Sequence, residues 1–311
     1  MKKKNKIWVT GNGMVGKSLI KRLSTDQSYQ VLKTKKTDFD QINQTRTNNW
    51  IKKNRPNTII ITSALVGGIH INSKIPATFL YENSMINLNI INSAHENGCK
   101  KIVFLGASCM YPKFGKQPFK EDSILDGKIE ETNEGYGISK IIGLKFIEML
   151  NNQYKSSHLS IIPAASYGTN DCYDDSKNHV IPALIKKFHE GKIKNKKSIK
   201  IWGTGNAKRE FIHVDDMADG IIHIIKNYKD NAPINLGTGE EISIKSLALL
   251  IKKIVGYKGQ ITFDRTKPDG IKRKLLDNSK IKKLKWNAKI CLKDGIETSY
   301  KEYIEKIKKV T

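Results

Sequence analysis

The most constraining stretch of the chain lies near its start. Ile7 to Thr10 reads as a short buried strand, "GNGMVG" follows at once, and "KSLIKRLS" then runs with helical spacing. Strand, glycine turn and helix in that order let the backbone bend tightly and approach a pyrophosphate at the positive end of a helix. The fingerprint takes in Gly11, Asn12, Gly13, Met14, Val15 and Gly16. It calls for a dinucleotide.

The alternation continues. A second strand around Gln30 to Leu32 precedes "TNNWIKKNRP", a helix ending before Pro56, and Thr58 to Ala64 is a β-branched run suited to a strand buried on both faces. A long helix from about Pro76 to Asn97 leads to another apolar run, "KIVFLGAS". Alternating strands and helices predict an α/β, doubly wound parallel sheet of the Rossmann kind. After "LSIIPAASYG" the pattern breaks into short strands, glycine turns and polar stretches. We expect a dinucleotide-binding domain over residues 1–165 with returning segments around 203–237, and a smaller, discontinuous α/β substrate lobe over 166–311. Within "KREFIHVDD", Asp215 stands where a helix N-cap would.

Cofactor choice is read after the second strand. "KTKKTD" places no carboxylate at its end for ribose hydroxyls, whereas Lys33, Lys35 and Lys36 suit a 2′-phosphate, so NADP(H) is expected over NAD. The same lysines also read as ordinary surface residues in a lysine-rich chain.

Composition removes several classes. The 311 residues leave room for two lobes, and no apolar run is long enough to cross a membrane or serve as the core of a signal peptide, so a cytoplasmic protein without a membrane partner is expected. The 4 cysteines (Cys99, Cys109, Cys172, Cys291) lie far apart with no CxxC pair, which suggests neither a metal site nor a disulfide framework. The net charge of +25 comes from lysines spread along the whole chain, a drift shared with Asn and Ile. Nucleic acid is therefore not the expected partner; a small polyanion makes better use of local positive charge.

Tyr136 and Lys140 stand one helical turn apart, in a segment whose apolar positions continue as Ile138, Ile141, Ile142, Phe146 and Met149. A fixed ammonium beside a phenol favours the phenolate and moves a group that titrates near ~10 toward neutral pH. The helix is apolar on more than one side, so it should be buried twice, against the sheet and against a second subunit. With the Pro76–Asn97 helix it would build the interface of a homodimer.

With these residues in hand, the chain resembles the extended short-chain dehydrogenase/reductase family, and within it the branch that acts on GDP-4-keto-6-deoxymannose. The likeness rests on "GMVG", "VGGIH", "YEN", "SCMYPK", "QPFKED", "TNEGYGISKIIGLK", "NHVIPALIKKFHE", "WGTGNAKREFIHVDDMA", "NLGTG" and "KPDGIKRKLLD", which together run through nearly the whole chain. It implies NADPH-dependent 4-reduction with 3,5-epimerisation of a GDP-sugar. Tyr136 would then protonate the C4 oxygen, with Lys140 lowering its pKa and holding the nicotinamide ribose. Cys109 and His179 would be the base and acid of epimerisation. Read by itself, Cys109 is a packed small hydrophobe and His179 a surface or helix-start residue. The resemblance further implies cofactor contacts at Leu105, Gly106, Ala107, Pro163, Ala164, Ala165, Ser166 and His179, and substrate contacts at Lys187, Trp202, Arg209 and Asp269, with Arg209 suited to a bidentate pair with the diphosphate.

Three positions depart from the family pattern. Thr10 stands at the first glycine of its GxxGxxG turn, Leu65 replaces the lysine before "VGG", and Ala107 occupies the position of the catalytic serine. Ser108 is adjacent but on an extended strand would face the other way. Either the backbone re-aims Ser108, or a hydrogen bond to the keto oxygen worth roughly 3–4 kcal/mol is missing. The departures keep two further readings open: a reductase or epimerase for another GDP-4-keto sugar of colitose or heptose type, and a nucleotide-sugar-binding protein that has lost catalysis.

Overall fold

A computed structural model describes residues 4–34, 39–175, 177–267 and 269–308. The chain begins β1 (Asn5–Val9), α1 (Met14–Ser24), β2 (Tyr29–Leu32), α2 (Gln44–Asn54), β3 (Thr58–Ile61). A short α3 (Ile69–Lys74) runs into the long α4 (Pro76–Glu96), then β4 (Lys101–Leu105), α5 (Glu134–Tyr154) and β5 (Leu159–Pro163). Beyond it come β6 (Ala165–Tyr167), α6 (Val180–Ile193), β7 (Ser198–Trp202), β8 (Lys208–His213), α7 (Val214–Asn227) and β9 (Ile234–Leu236). The last part holds β10 (Glu241–Ser243), α8 (Ile244–Val255), β11 (Gln260–Asp264), β12 (Arg273–Lys274), α9 (Ser279–Lys283) and α10 (Leu292–Lys308).

The central sheet has six parallel strands in the order β2-β1-β3-β4-β5-β9. Strand order reverses between β1 and β3, and a crevice opens there at the carboxyl ends of the strands. Ile7, Ile59 to Ile61, Ile102 to Phe104, Ile161 and Ile162 are buried almost completely, as strands covered on both faces must be. β3 stops at Ile61, short of the expected Ala64, because the next backbone N–H groups, of Thr62 and Ser63, both turn to the Thr10 hydroxyl at 3.1 Å.

A second apolar cluster joins Tyr167, α6, β7, Phe211, α8 and α10, apart from the cluster around the main sheet. Its strands form two small sheets, β10-β8-β12 with β6 beside β8, and β11-β7. β8 lies in the small sheet, whereas α7 packs on α1 and β9 pairs with β5. The expected N-cap of α7 is corrected. His213 caps it, its Nδ1 accepting from Asp215 N at 3.2 Å, while Asp215 accepts from the Ser18 hydroxyl at 2.6 Å and Asp216 from Lys289 N and Ile290 N. Two backbone donors need a carboxylate acceptor there, and Asp216 supplies it. Among the described residues no helix is long and apolar enough to cross a membrane.

Candidate active site

The glycine turn is held from both sides. Gly11 N donates to Thr62 Oγ1 at 2.9 Å, Asn12 Nδ2 donates to the Thr34 carbonyl, and Thr10, 3% exposed, also accepts from the Ser63 hydroxyl at 2.8 Å. The threonine in place of the family's first glycine thus ties β1 to the end of β3. A Cβ on Gly16 would stand 1.8 Å from Gly11 O, so only glycine lets α1 start this close to the turn. Nothing lies within 4 Å of a Cβ at Gly13, where a ligand could approach. No side chain caps α1 and no acid sits in its first turn, which leaves the backbone N–H groups of Met14, Val15 and Gly16 as donors for an anion. These residues fit a dinucleotide pyrophosphate. Lys33 is exposed just past β2; Lys35 and Lys36 lie outside the described residues.

The other expected cofactor residues follow the carboxyl ends of β4 and β5, on the same edge of the sheet. Gly106 N donates to Ile161 O at 2.8 Å, Ala107 and Ser108 are half-buried, and Ala164 N donates to Leu236 O at 2.9 Å beyond the buried Pro163. Ala165 is exposed and Ser166 half-buried at the start of β6.

Tyr136, Lys140 and Cys109 come together where α5 meets β4. α5 lies close against α4: a Cβ on Gly135 would stand 2.3 Å from Pro76 O, and Asn87 of α4 donates to Ser139 O at 3.1 Å. Asn83 accepts from Leu65 N at 2.8 Å and donates back to Leu65 O, fixing the "VGG" loop where the family's lysine is missing. The Tyr136 ring meets Phe79 edge-on at 6.4 Å. Lys140, 3% exposed, donates from Nζ to Leu105 O at 3.0 Å and lies over the rings of Phe104 and Tyr136 at 5.2 and 5.7 Å. Burial brings its ammonium down to about 8, opposed by the negative charge Cys109 can carry. Here an expectation is corrected. The Tyr136 phenol is pushed well above its ordinary range, by burial first and by Cys109 second, while the Lys140 ammonium is bonded to the Leu105 carbonyl. The Cys109 thiol, 8% exposed, is likewise raised by burial, with Lys274 and then Lys140 pulling the other way.

Ser108 is not on a strand. β4 ends at Leu105, and Ser108–Met110 form a single 3-10 turn closed by Met110 N on Ala107 O at 3.1 Å. Alternation therefore does not point Ser108 away, and its hydroxyl has no hydrogen-bond partner among the described residues.

His179 stands at the N-cap of α6 without using its side chain as a cap. The residue is exposed, next to Asn178, whose carbonyl oxygen would stand 2.7 Å from a Cβ on Gly68, and the protein around its ring lowers the imidazole below the usual range. Its side chain makes no hydrogen bond to Cys109 or Tyr136. The substrate-lobe residues cluster around the 264–271 segment. Arg209 donates to Lys208 O, Ile271 O and Asp269 O at 2.8, 2.6 and 3.2 Å, and Asp269 accepts from Thr204 N and its hydroxyl at 2.7 and 2.6 Å. Three backbone carbonyls thus take up guanidinium donors that a bidentate diphosphate pair would use. Trp202 is 52% exposed, meets His70 of α3 at 6.4 Å, and lies under the Lys267 ammonium at 5.6 Å. Lys187 reaches Lys200 O at 2.7 Å, on the flank of this group.

The structure adds residues that the sequence argument did not single out. His70 and Lys267 flank Trp202, and the positive charge of Lys274 favours the Cys109 thiolate. Lys274 lay within the quoted "KPDGIKRKLLD"; period-2 alternation across a strand was the available signal, but a two-residue strand is too short to show it.

Cradle, tyrosine–lysine pair and sheet order define a nucleotide-dependent epimerase or reductase scaffold, and residues 7–237 match the NAD dependent epimerase/dehydratase family, to which the chain belongs. Within it, the chain is similar to GDP-L-fucose synthase 1 of Arabidopsis thaliana, 40% identical over 98% of this chain and 95% of that one. Its likeness to the GDP-L-fucose synthase of Escherichia coli (strain K12) is 38% over 97% of each. Among solved structures it resembles the GDP-mannoheptose C4 reductase of Campylobacter jejuni with NADP bound, at 35% identity and TM-score 0.87 over 98% of this chain and 99% of the other.

Proposed function

We propose that this chain is an NADP(H)-dependent enzyme that epimerises C3 and C5 of GDP-4-keto-6-deoxy-D-mannose and reduces C4, giving GDP-L-fucose. The observation that carries the reading is the meeting of Tyr136 and Lys140 on α5 with Cys109 on the turn after β4, beside a glycine cradle at the sheet's crevice. Bound NADPH supplies the hydride. The Gly11–Gly16 turn and the start of α1 hold the pyrophosphate, Lys33 with Lys35 and Lys36 the 2′-phosphate, and Lys140 the nicotinamide ribose. Leu105, Gly106, Ala107 and the 163–166 segment line the cofactor. Trp202, Arg209, Asp269 and Lys187 belong to the GDP end.

Protons come from this chain's own groups. A high Tyr136 pKa keeps the phenol protonated until charge develops on the C4 oxygen, which it then satisfies. Cys109 removes the proton α to the keto group, whose enolate is delocalised, and His179 returns one from the other ring face. His179 takes the proton it delivers from solvent, and negative charge building beside the ring favours that uptake. Ser108, at the start of the 3-10 turn, supplies the hydroxyl missing at Ala107. The working assembly is a homodimer in the cytoplasm, with α4 and α5 at the interface; neither nucleic acid nor a membrane enters the reading.

A second reading, reduction of a heptose- or colitose-type GDP-4-keto sugar, is favoured by Ala107 and by the 35% identity to a heptose C4 reductase. Steady-state NADPH oxidation separates them. The first reading expects turnover with GDP-4-keto-6-deoxymannose and a fucose-configured product; turnover confined to heptose or colitose precursors would replace it with the second.

A further inference from the structure

Cys109 works as a base only as a thiolate, and burial at 8% exposure disfavours that charge. A cation has to stand near it. Lys140 is nearby, but its ammonium is committed to the Leu105 carbonyl and to two aromatic rings.

The small sheet supplies another. β12 pairs in parallel with β8, with Arg273 opposite Lys208 and Lys274 opposite Arg209. Laterally paired residues share a face, and successive residues alternate. One face carries Lys208 and Arg273, both on Glu241 at 3.2 and 2.6 Å. Lys274 therefore lies with Arg209 on the other face, and β12 reaches the Cys109 turn through Phe119, which bridges Leu276 and stacks at 4.8 Å on Tyr111, two residues past Cys109. The strand is anchored to the segment that follows the Cys109 turn: Phe119 N donates to Leu275 O at 2.8 Å and Leu275 N to Gln117 Oε1 at 3.0 Å. Arg273 and Lys208 have their carboxylate; the Lys274 side chain has no hydrogen bond or ion pair to a described residue.

We propose that Lys274 is the counter-ion of the Cys109 thiolate, a positioning residue for the proton transfers beside the keto group. The proposal deepens the function above and rests on Cys109 being the base. In the forward step Cys109 Sγ⁻ takes a proton from carbon and becomes a thiol, the negative charge passes to the enolate oxygen, and no proton passes between Cys109 and Lys274; burial lowers the Lys274 ammonium and the Cys109 charge opposes that, so each charge supports the other. The groups that act on this pair are Tyr136 and Lys140 from α5, Arg209 from β8, and the buried Glu130, itself 3.3 Å from the Lys113 ammonium. Both Lys274 and Lys140 favour the thiolate, and Lys274 is the one with no hydrogen bond or ion pair of its own among the described residues.

The test needs no sugar. In the full-length protein, the rate of iodoacetamide alkylation at Cys109 is followed against pH, with peptide mass spectrometry separating it from Cys99, Cys172 and Cys291. Lys274→Met should slow alkylation about tenfold at pH 8 and move the profile up by about one pH unit, and Lys274→Arg should keep the parent profile. A lysine that merely packs would lower the melting temperature without moving the midpoint; should Lys274→Met fail to fold, Lys274→Gln makes the same comparison. An unchanged midpoint in a folded charge-neutral variant overturns the proposal. If the profile moves while GDP-4-keto sugars are not turned over, the counter-ion stands and the substrate reading falls.

Discussion

Lys140 has one ammonium and several demands on it. In the free protein it serves the Leu105 carbonyl, and burial leaves it titrating at about 8. Its positive charge is present below that pH and lost above it, so kcat/KM should fall on an alkaline limb near pH 8. The cofactor's phosphates favour the ammonium, and the limb in kcat should lie higher. Lys140→Arg, which stays charged, should lower the plateau and remove the limb; a limb at the same pH in that variant would assign it to another group. The tyrosine–lysine pair was legible in the sequence because helical spacing alone puts the two on one face. The direction of the ammonium was not, since it depends on where β4 ends. The two alternatives left open for Ser108 have the same origin: a run such as "KIVFLGAS" does not reveal that its pleat stops at Leu105.

Among the elements, α5 carries Tyr136 and Lys140, and its glycines decide how closely it sits against its neighbours. A Cβ on Gly135 would press on the Pro76 carbonyl oxygen, backbone against backbone, with no flexible side chain to give way. Gly135→Ala should cost roughly 1–3 kcal/mol. It should lower the melting temperature and, by displacing the adjacent Tyr136, slow NADPH oxidation. Gly127→Ala, with its nearest neighbour Pro112 Cβ at 3.5 Å, should change neither. The main-sheet strands could be read from their apolar runs because both faces are covered, as at Ile59 to Ile61. The N-cap of α7 could not. Asp215 and His213 are both able to cap, and the choice is made by Ser18 and by the chain at 289–290, far away in sequence.

Across the whole molecule, α4 and α5 pack side by side, yet Tyr81 and Met149 remain 62% and 61% exposed on them. The homodimer proposed above would cover both side chains. Sedimentation at micromolar concentration should give a dimer, and Tyr81→Glu with Met149→Glu should weaken it at least about tenfold, since each buried charge costs more than 1.4 kcal/mol. A monomeric parent contradicts the interface. In the function proposed above one cleft carries two separable chemistries, Tyr136 serving reduction and Cys109 serving epimerisation. Solvent deuterium incorporation tests it most directly, with GDP-4-keto-6-deoxymannose and NADPH in D2O and the positions C3 and C5 read by mass spectrometry or NMR. Tyr136→Phe should still exchange both positions while NADPH oxidation falls by about 10²-fold or more. Cys109→Ser should lose the exchange, and its residual reduction should give an unepimerised sugar. Full exchange and a fucose-configured product from Cys109→Ser would contradict the account.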